Sequence, residues 1–201
     1  MRILFAGCLF GALALAGCNN RTVTREAPAN SVETIASEGE AGTANASAQA
    51  TAQPVLNLAP DGLARFEASA GTSKEIAFGT PKAAAREAVE KVTGLTATEA
   101  SNSDCPAGPV VNLNFPDGLT LLFQEDSFAG WSVTGNQAPT TASGVGLGST
   151  RKALDAAYDA QVASSTLGLE FSAEGLSGIL DGPTPNARIR ELWAGVSCVA
   201  R

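Results

Sequence analysis

The amino-acid sequence predicts an α+β domain in residues 55–201, built from two tandem repeats that each place a helix before a three-stranded meander. A hairpin-like pattern in residues 122–131 recurs in 170–179, and a glycine followed by a hydroxyl residue precedes each of two amphipathic runs. Period-two strands around short polar turns form antiparallel meanders. We therefore expect a mostly antiparallel sheet with both helices on one face, and an internal duplication at about 55–135 and 136–201.

The first repeat is predicted to open with a hairpin and a strand and to continue with a helix. Residues 60–63 and 116–119 both read Pro-Asp-Gly-Leu, a turn signal between alternating apolar positions. The strand ends at Gly79, and Thr80 is expected to cap the helix with Pro81 in its first turn. Four apolar residues share one helix face: Ala85, Ala88, Val89 and Val92. Three strands come next, and the last two form the first hairpin.

The second repeat is predicted to use the same order. A strand ends at Gly148, and Ser149 is expected to cap the second helix. The apolar stripe of that helix consists of Leu154, Ala157, Tyr158 and Val162. Three strands come after it, including the 170–179 hairpin, so the two repeats differ mainly by extra residues around Cys105.

Residues 1–17 have the layout of a signal peptide. Arg2 precedes an apolar stretch that is too short to span a bilayer. Residues 15–18 read Leu-Ala-Gly-Cys and resemble the lipobox of bacterial lipoproteins. The resemblance implies that Cys18 is diacylated, becomes the N-terminal residue after cleavage and holds the protein on a membrane. The alternative is an ordinary secretory signal that happens to contain a cysteine.

The residues after Cys18 indicate which membrane holds the anchor and how the domain is connected to it. Asn19 differs from the aspartate that retains enterobacterial lipoproteins in the inner membrane, so we expect the periplasmic face of the outer membrane, with the inner membrane as the alternative. Residues 18–54 are rich in small and polar types and cannot bury enough apolar surface to order themselves. They are predicted to form a disordered tether between lipid and domain.

Cys105 and Cys198 are predicted to form a disulfide bond. Cys8 lies in the signal peptide and Cys18 would carry lipid, which leaves one pair of cysteines in an oxidising compartment. Two unpaired thiols are the alternative. The sequence has no histidine and no Cys-x-x-Cys motif, so no metal ligand set, redox motif or cofactor is predicted.

The charge of the chain restricts its partners. The formal net charge is −7, and no basic stretch alternates with aromatic residues, so nucleic acid is not expected as a partner. The negative charge also disfavours electrostatic docking on anionic lipid. Contact with the membrane is therefore expected through the lipid anchor.

Three patterns could carry catalytic chemistry, and each has a simpler explanation. Ser149 and Lys152 have the S-x-x-K spacing of penicillin-binding enzymes, but the other motifs of those enzymes are missing. The glycines in residues 144–148 lack the spacing of a dinucleotide-binding fingerprint. Acids at the predicted hairpin tips could act as paired carboxylates but are expected in solvated turns: Glu125, Asp126 and Glu174. No catalytic residue is predicted.

The predicted order of strand, glycine, hydroxyl residue, helix and meander resembles two kinds of small bacterial domain. These are the small lipoproteins of outer-membrane-protein assembly and the tandem-repeat β-lactamase inhibitor proteins. Both bind other proteins, so the resemblance implies binding rather than catalysis. Trp131 and Trp193 are expected in the core, with contact to a partner as the alternative.

These observations predict a lipid-anchored periplasmic binding or scaffold domain of the bacterial envelope. Its partner would be another envelope protein or the cell wall. The alternative is a small-ligand-binding domain, or a carboxylate- or serine-based enzyme, with a pocket between sheet and helices. The lack of a catalytic signature favours the binding domain.

Overall fold

The computed structural model describes residues 53–135 and 137–199, in which two helices and eleven strands are found. The predicted signal peptide, Cys18 and the predicted tether up to residue 52 lie outside the described residues. The strands are β1 Val55–Ala59, β2 Gly62–Glu67, β3 Thr72–Ala77, β4 Thr98–Asn102, β5 Val110–Asn114, β6 Leu119–Gln124, β7 Ser127–Val133, β8 Gln161–Ser165, β9 Gly168–Ala173, β10 Leu176–Leu180 and β11 Ile189–Gly195. The helices are α1 Lys82–Thr93 and α2 Arg151–Ala157.

Strands β1, β2 and β3 form a separate three-stranded antiparallel sheet. The predicted turn after Pro60 connects β1 to β2, and it ends at Gly62 with φ of +150°. A Cβ at this position would lie 2.3 Å from the carbonyl oxygen of Ile76 on β3. Glycine is therefore needed for the close approach of the two backbones.

The other eight strands form one antiparallel sheet in the order β4-β5-β6-β7-β11-β10-β9-β8. Each helix is followed by a four-stranded meander, and the two meanders join where β7 pairs with β11. The first strand of each meander, β4 or β8, becomes an edge of the sheet. Both edge strands are short, polar and mostly exposed.

The core lies between the three-stranded sheet, α1 and one face of the eight-stranded sheet, which we call the inner face. Alternate residues of β6 point to it: Leu119, Leu121 and Phe123 are at most 1 % exposed. Helix α1 contributes Ala85 and Val89, both fully buried, as its apolar stripe predicts. Burial of this continuous apolar surface is the main stabilising contribution to the domain.

Helix α1 ends where its sequence stops favouring helix. Gly94 adopts the left-handed conformation, with φ of +69°, and its N–H donates to the carbonyl oxygen of Glu90. This is the usual glycine C-cap arrangement.

No helix in 53–135 or 137–199 combines the length and apolar character that crossing a bilayer requires.

The predicted α+β class, with two helices on one face of a single sheet, is wrong. The described residues are 13 % helical and 46 % strand, arranged in two sheets, so the domain is mostly β. Helix α2 has only seven residues and buries only Leu154. The meanders have four strands instead of three, because the polar edge strands β4 and β8 lack the apolar alternation by which strands are recognised.

Several details of both repeats also differ from expectation. Residues before α2 form turns rather than a strand, and the cap of α2 is Thr150, whose Oγ1 accepts a hydrogen bond from the Ala153 N–H. In α1 the cap position is Pro81, and the Thr80 hydroxyl instead donates to the carbonyl oxygen of Ala77. The two similar hairpins are the third of one meander (β6–β7) and the second of the other (β9–β10).

Candidate binding groove

The face of the eight-stranded sheet opposite the inner face, which we call the outer face, carries a continuous row of uncharged side chains. Directly paired residues on neighbouring antiparallel strands lie on the same face. The strand registers therefore align one residue from every strand in a row, which we call the polar row. From β4 to β8 its members are Thr98, Asn114, Thr120, Ser132, Trp193, Ser177, Ser172 and Gln161.

A groove of about 410 Å³ lies on the outer face over β5, β6, β7 and β11. Three members of the polar row line it: Thr120, Ser132 and Trp193. Its size is within the range of roughly 300–1,000 Å³ that is typical of ligand pockets. A second depression shares Thr134 and Gly135 with the groove, so the concave surface continues beyond the end of β7.

The two tryptophans have different environments. Trp131 is 0 % exposed, and its indole N–H donates to the carbonyl oxygen of Ala59 at 2.8 Å. It therefore joins the inner face to β1 and belongs to the core. Trp193 is 4 % exposed and lines the groove. Since neither ring is openly exposed, Trp193 is available to a partner only through the groove.

The groove wall holds one polar atom whose hydrogen-bonding capacity is unused. Asn112 Oδ1 is buried and has no hydrogen-bond donor within the described part of the chain. A buried acceptor without a donor costs roughly 1–3 kcal/mol. A ligand N–H or O–H group in the groove could supply that donor. The charged residues of the wall are Arg190 and Glu191, both exposed.

The predicted disulfide between Cys105 and Cys198 is confirmed, with the two Cα atoms 4.8 Å apart. It fixes the C-terminal residues 196–199, which we call the strap, to the loop between β4 and β5. The strap passes along the groove, and Ser197, Cys198 and Val199 line it. One wall of the groove is thus held in place by a covalent bond between distant parts of the sequence.

A cluster of ion pairs lies on the inner side, away from the groove. Lys82 Nζ is 3.0 Å from Glu99 Oε1 and 3.2 Å from Asp126 Oδ1, and Arg86 also pairs with Glu99. The hydrogen bond to Glu99, and then that to Asp126, raises the pKa of Lys82. These contacts join the first turn of α1 to β4 and to the β6–β7 turn, so the cluster has a structural role.

The residues considered for catalysis are spread over separate parts of the domain. Ser149 Oγ accepts a hydrogen bond from the Gly146 N–H at 3.0 Å, which stabilises the turn before α2. The acids Glu125, Asp126 and Glu174 occupy two-residue hairpin turns with positive φ. The described residues contain no group of three or more His, Cys, Asp or Glu side chains suited to a metal ion.

Most groove residues were not predicted from the sequence. The alternation of β6 and β7 separates inner from outer positions, so Thr120 and Ser132 could have been assigned to an outer face. Nothing local in the sequence indicates that β11 lies beside β7 and brings Trp193 next to Ser132. That neighbour relationship depends on pairing between strands about sixty residues apart.

Comparisons of the chain with protein-family models, with curated proteins and with solved structures found no significant match.

Proposed function

We propose that this protein is a lipid-anchored binding domain of the bacterial envelope that holds its partner in the outer-face groove. The anchor is Cys18, on the periplasmic face of the outer membrane, and residues 18–54 connect it to the domain. The observation that carries the proposal is the groove itself. It combines a concave surface, a buried acceptor at Asn112 and the hydroxyl groups of Thr120 and Ser132 on a sheet whose other face is filled by core packing.

The chemistry of the groove favours a hydrogen-bonding partner without net charge, since its exposed charged residues, Arg190 and Glu191, have opposite signs. Ser132 offers a hydroxyl group that can donate or accept, and Asn112 offers an acceptor. The Thr120 hydroxyl donates to Asn114 Oδ1 at 3.1 Å and can still accept. Leu122 and Trp193 supply apolar surface beside them. A protein segment with polar uncharged side chains matches this combination, since interfaces commonly surround apolar contacts with hydrogen bonds.

A small ligand in the same groove is the second candidate. The volume of about 410 Å³ supports it, because a pocket of this size can enclose most of a small molecule. The groove contains one carboxylate, Glu191, and no histidine is present in the chain. Binding without catalysis is therefore the form of this alternative that the groove supports.

A charge placed in the groove tests the proposal. The lipidated protein is purified from mildly solubilised envelopes as wild type, as Thr120→Arg and as Gln161→Arg, and co-purifying proteins are quantified. Gln161 is a matched control because it belongs to the same polar row but lies on the exposed edge strand β8. We expect a near-stoichiometric protein with wild type and Gln161→Arg that is lost with Thr120→Arg.

Two other results are informative. Equal recovery with both variants would contradict a groove-bound partner. The small-ligand alternative would be established by two results together. No protein co-purifies with wild type, and a small molecule is released from wild type but not from Thr120→Arg.

A further inference from the structure

The strap leaves the sheet through a sharp turn at Gly195, the last residue of β11. Gly195 adopts φ of +69°, and a Cβ there would lie 2.4 Å from the carbonyl oxygen of Ala129. The next residue, Val196, donates its N–H to that same oxygen at 2.8 Å. The chain therefore crosses from β11 onto β7 rather than extending the sheet.

The strap lies directly on the outer face. A Cβ at Gly130 would be 2.0 Å from the carbonyl oxygen of Val196, so only glycine leaves room for the strap backbone over β7. Gly130 has ordinary φ, which means that this steric contact alone requires glycine. The strap backbone can therefore lie against β7 because residue 130 has no side chain.

The far end of the strap is held by the disulfide and by few other contacts. Cys105 and Cys198 pack with Val110, Leu122 and Val196 in a small cluster that is separate from the main core. Asn102 Nδ2 lies 3.8 Å from Cys198 Sγ. Because neither cysteine contributes to the main core, loss of the disulfide need not open that core.

We propose that the Cys105–Cys198 disulfide is a redox-sensitive latch that keeps the strap over the groove. The inference rests on the proposed function in taking the groove as the binding site. When the bond is intact, the strap forms one wall and Trp193 is shielded. When it is reduced, Val196 keeps its hydrogen bond to Ala129, residues 197–199 detach, and the groove opens toward solvent.

Reduction of the Cys105–Cys198 disulfide requires a dithiol reductant. Its thiolate attacks Sγ of Cys198, the more exposed residue of the pair, since Cys198 is half-buried and Cys105 is 6 % exposed. The Cys105–Cys198 bond breaks, Cys105 leaves as thiolate and takes a proton, and a mixed disulfide forms on Cys198. The second thiol of the reductant then displaces Cys198. The protein gains two electrons and two protons, and the dithiol becomes a cyclic disulfide.

Tryptophan fluorescence tests the latch without any partner. Acrylamide quenching and emission maximum are measured before and after reduction by dithiothreitol, in wild type and in Trp193→Phe, whose remaining indole is the core residue Trp131. We expect reduction to shift the wild-type emission to longer wavelength and to increase quenching, with no change in Trp193→Phe. The double variant Cys105→Ser/Cys198→Ser should behave like reduced wild type without reductant.

Two outcomes would overturn the latch. In one, the emission and quenching of wild type stay the same after reduction. In the other, Trp193→Phe changes together with wild type, because the core then opens with the strap. Both are distinct from failure of the proposed function, which depends on recovery of a partner and on Thr120→Arg.

Discussion

Trp131 and Trp193 lie on the two central strands of the eight-stranded sheet, one register position apart, and point to opposite faces. Trp131 pairs with Ala194, and Trp193 pairs with Ser132 on the adjacent position. Because side chains alternate along a strand, this offset sends one indole into the core and the other to the groove. The same pair of strands therefore supports both the stability of the domain and its proposed site.

Trp131→Phe should destabilise the domain more than Trp193→Phe. The first substitution removes the indole donor of the half-buried Ala59 carbonyl oxygen, and loss of such a hydrogen bond costs about 0.5–1.5 kcal/mol, in addition to lost packing. Urea unfolding of both variants measures the difference in free energy of unfolding. Equal losses would mean that the Trp131–Ala59 contact does not join the two sheets as described.

Gly130→Ala should displace the strap while leaving the strands paired. The new methyl group would overlap the Val196 backbone, and relief of that overlap requires the strap to lift. The rate of disulfide reduction by dithiothreitol should rise relative to wild type. Gly182→Ala is the matched control, since its Cβ would meet only Ala187 Cβ at 3.8 Å. A reduction rate unchanged by Gly130→Ala would contradict the close contact between Gly130 and the strap backbone.

Glu174→Asn should stabilise the domain. Glu174 adopts φ of +51° in the two-residue turn between β9 and β10, and Gly175 is the next residue. Asparagine tolerates this conformation better than glutamate, and Asn-Gly is a preferred hairpin turn. We expect the free energy of unfolding to rise by up to about 1 kcal/mol. Glu75→Asn on β3, at ordinary φ, is the control, and an equal gain there would point to charge rather than turn conformation.

Lys82→Met should remove a contribution to stability that wild type has at neutral pH and loses at alkaline pH. The raised pKa of Lys82 means that its ion pairs contribute fully below the unfolded value of 10.5 and are lost as pH rises through the higher folded value. The difference in Tm between wild type and Lys82→Met should therefore be constant near neutral pH and shrink above 10.5. Lys91→Met, at the other end of α1 and outside this cluster of ion pairs, is the control for loss of a lysine charge. Parallel curves for wild type and Lys82→Met would disprove the assignment.

Cys18→Ala should release the protein from the membrane. Removal of the acylated sulfur removes the proposed anchor, so palmitate labelling should disappear and the protein should move to the soluble fraction. Cys8→Ala, within the predicted signal peptide, is the control and should keep the label. Membrane association that persists in Cys18→Ala would show that something other than lipid at this residue holds the protein.

Local features and the covalent pairing could be predicted from the sequence alone. The turns at Gly62 and Gly118 and the buried stripe of α1 depend on the conformational freedom of glycine and on apolar periodicity, which act over a few residues. The Cys105–Cys198 bond was reached by elimination among four cysteines.

The architecture and the groove became visible only in the folded domain. The separate β1–β3 sheet, the polar edge strands β4 and β8, and the contact between β7 and β11 all depend on which distant strands pair. Such pairing is selected by burial of the whole inner face, and a local pattern contains no information about it. For that reason Trp193 and Ser132 could be recognised as neighbours only after the strands were assembled.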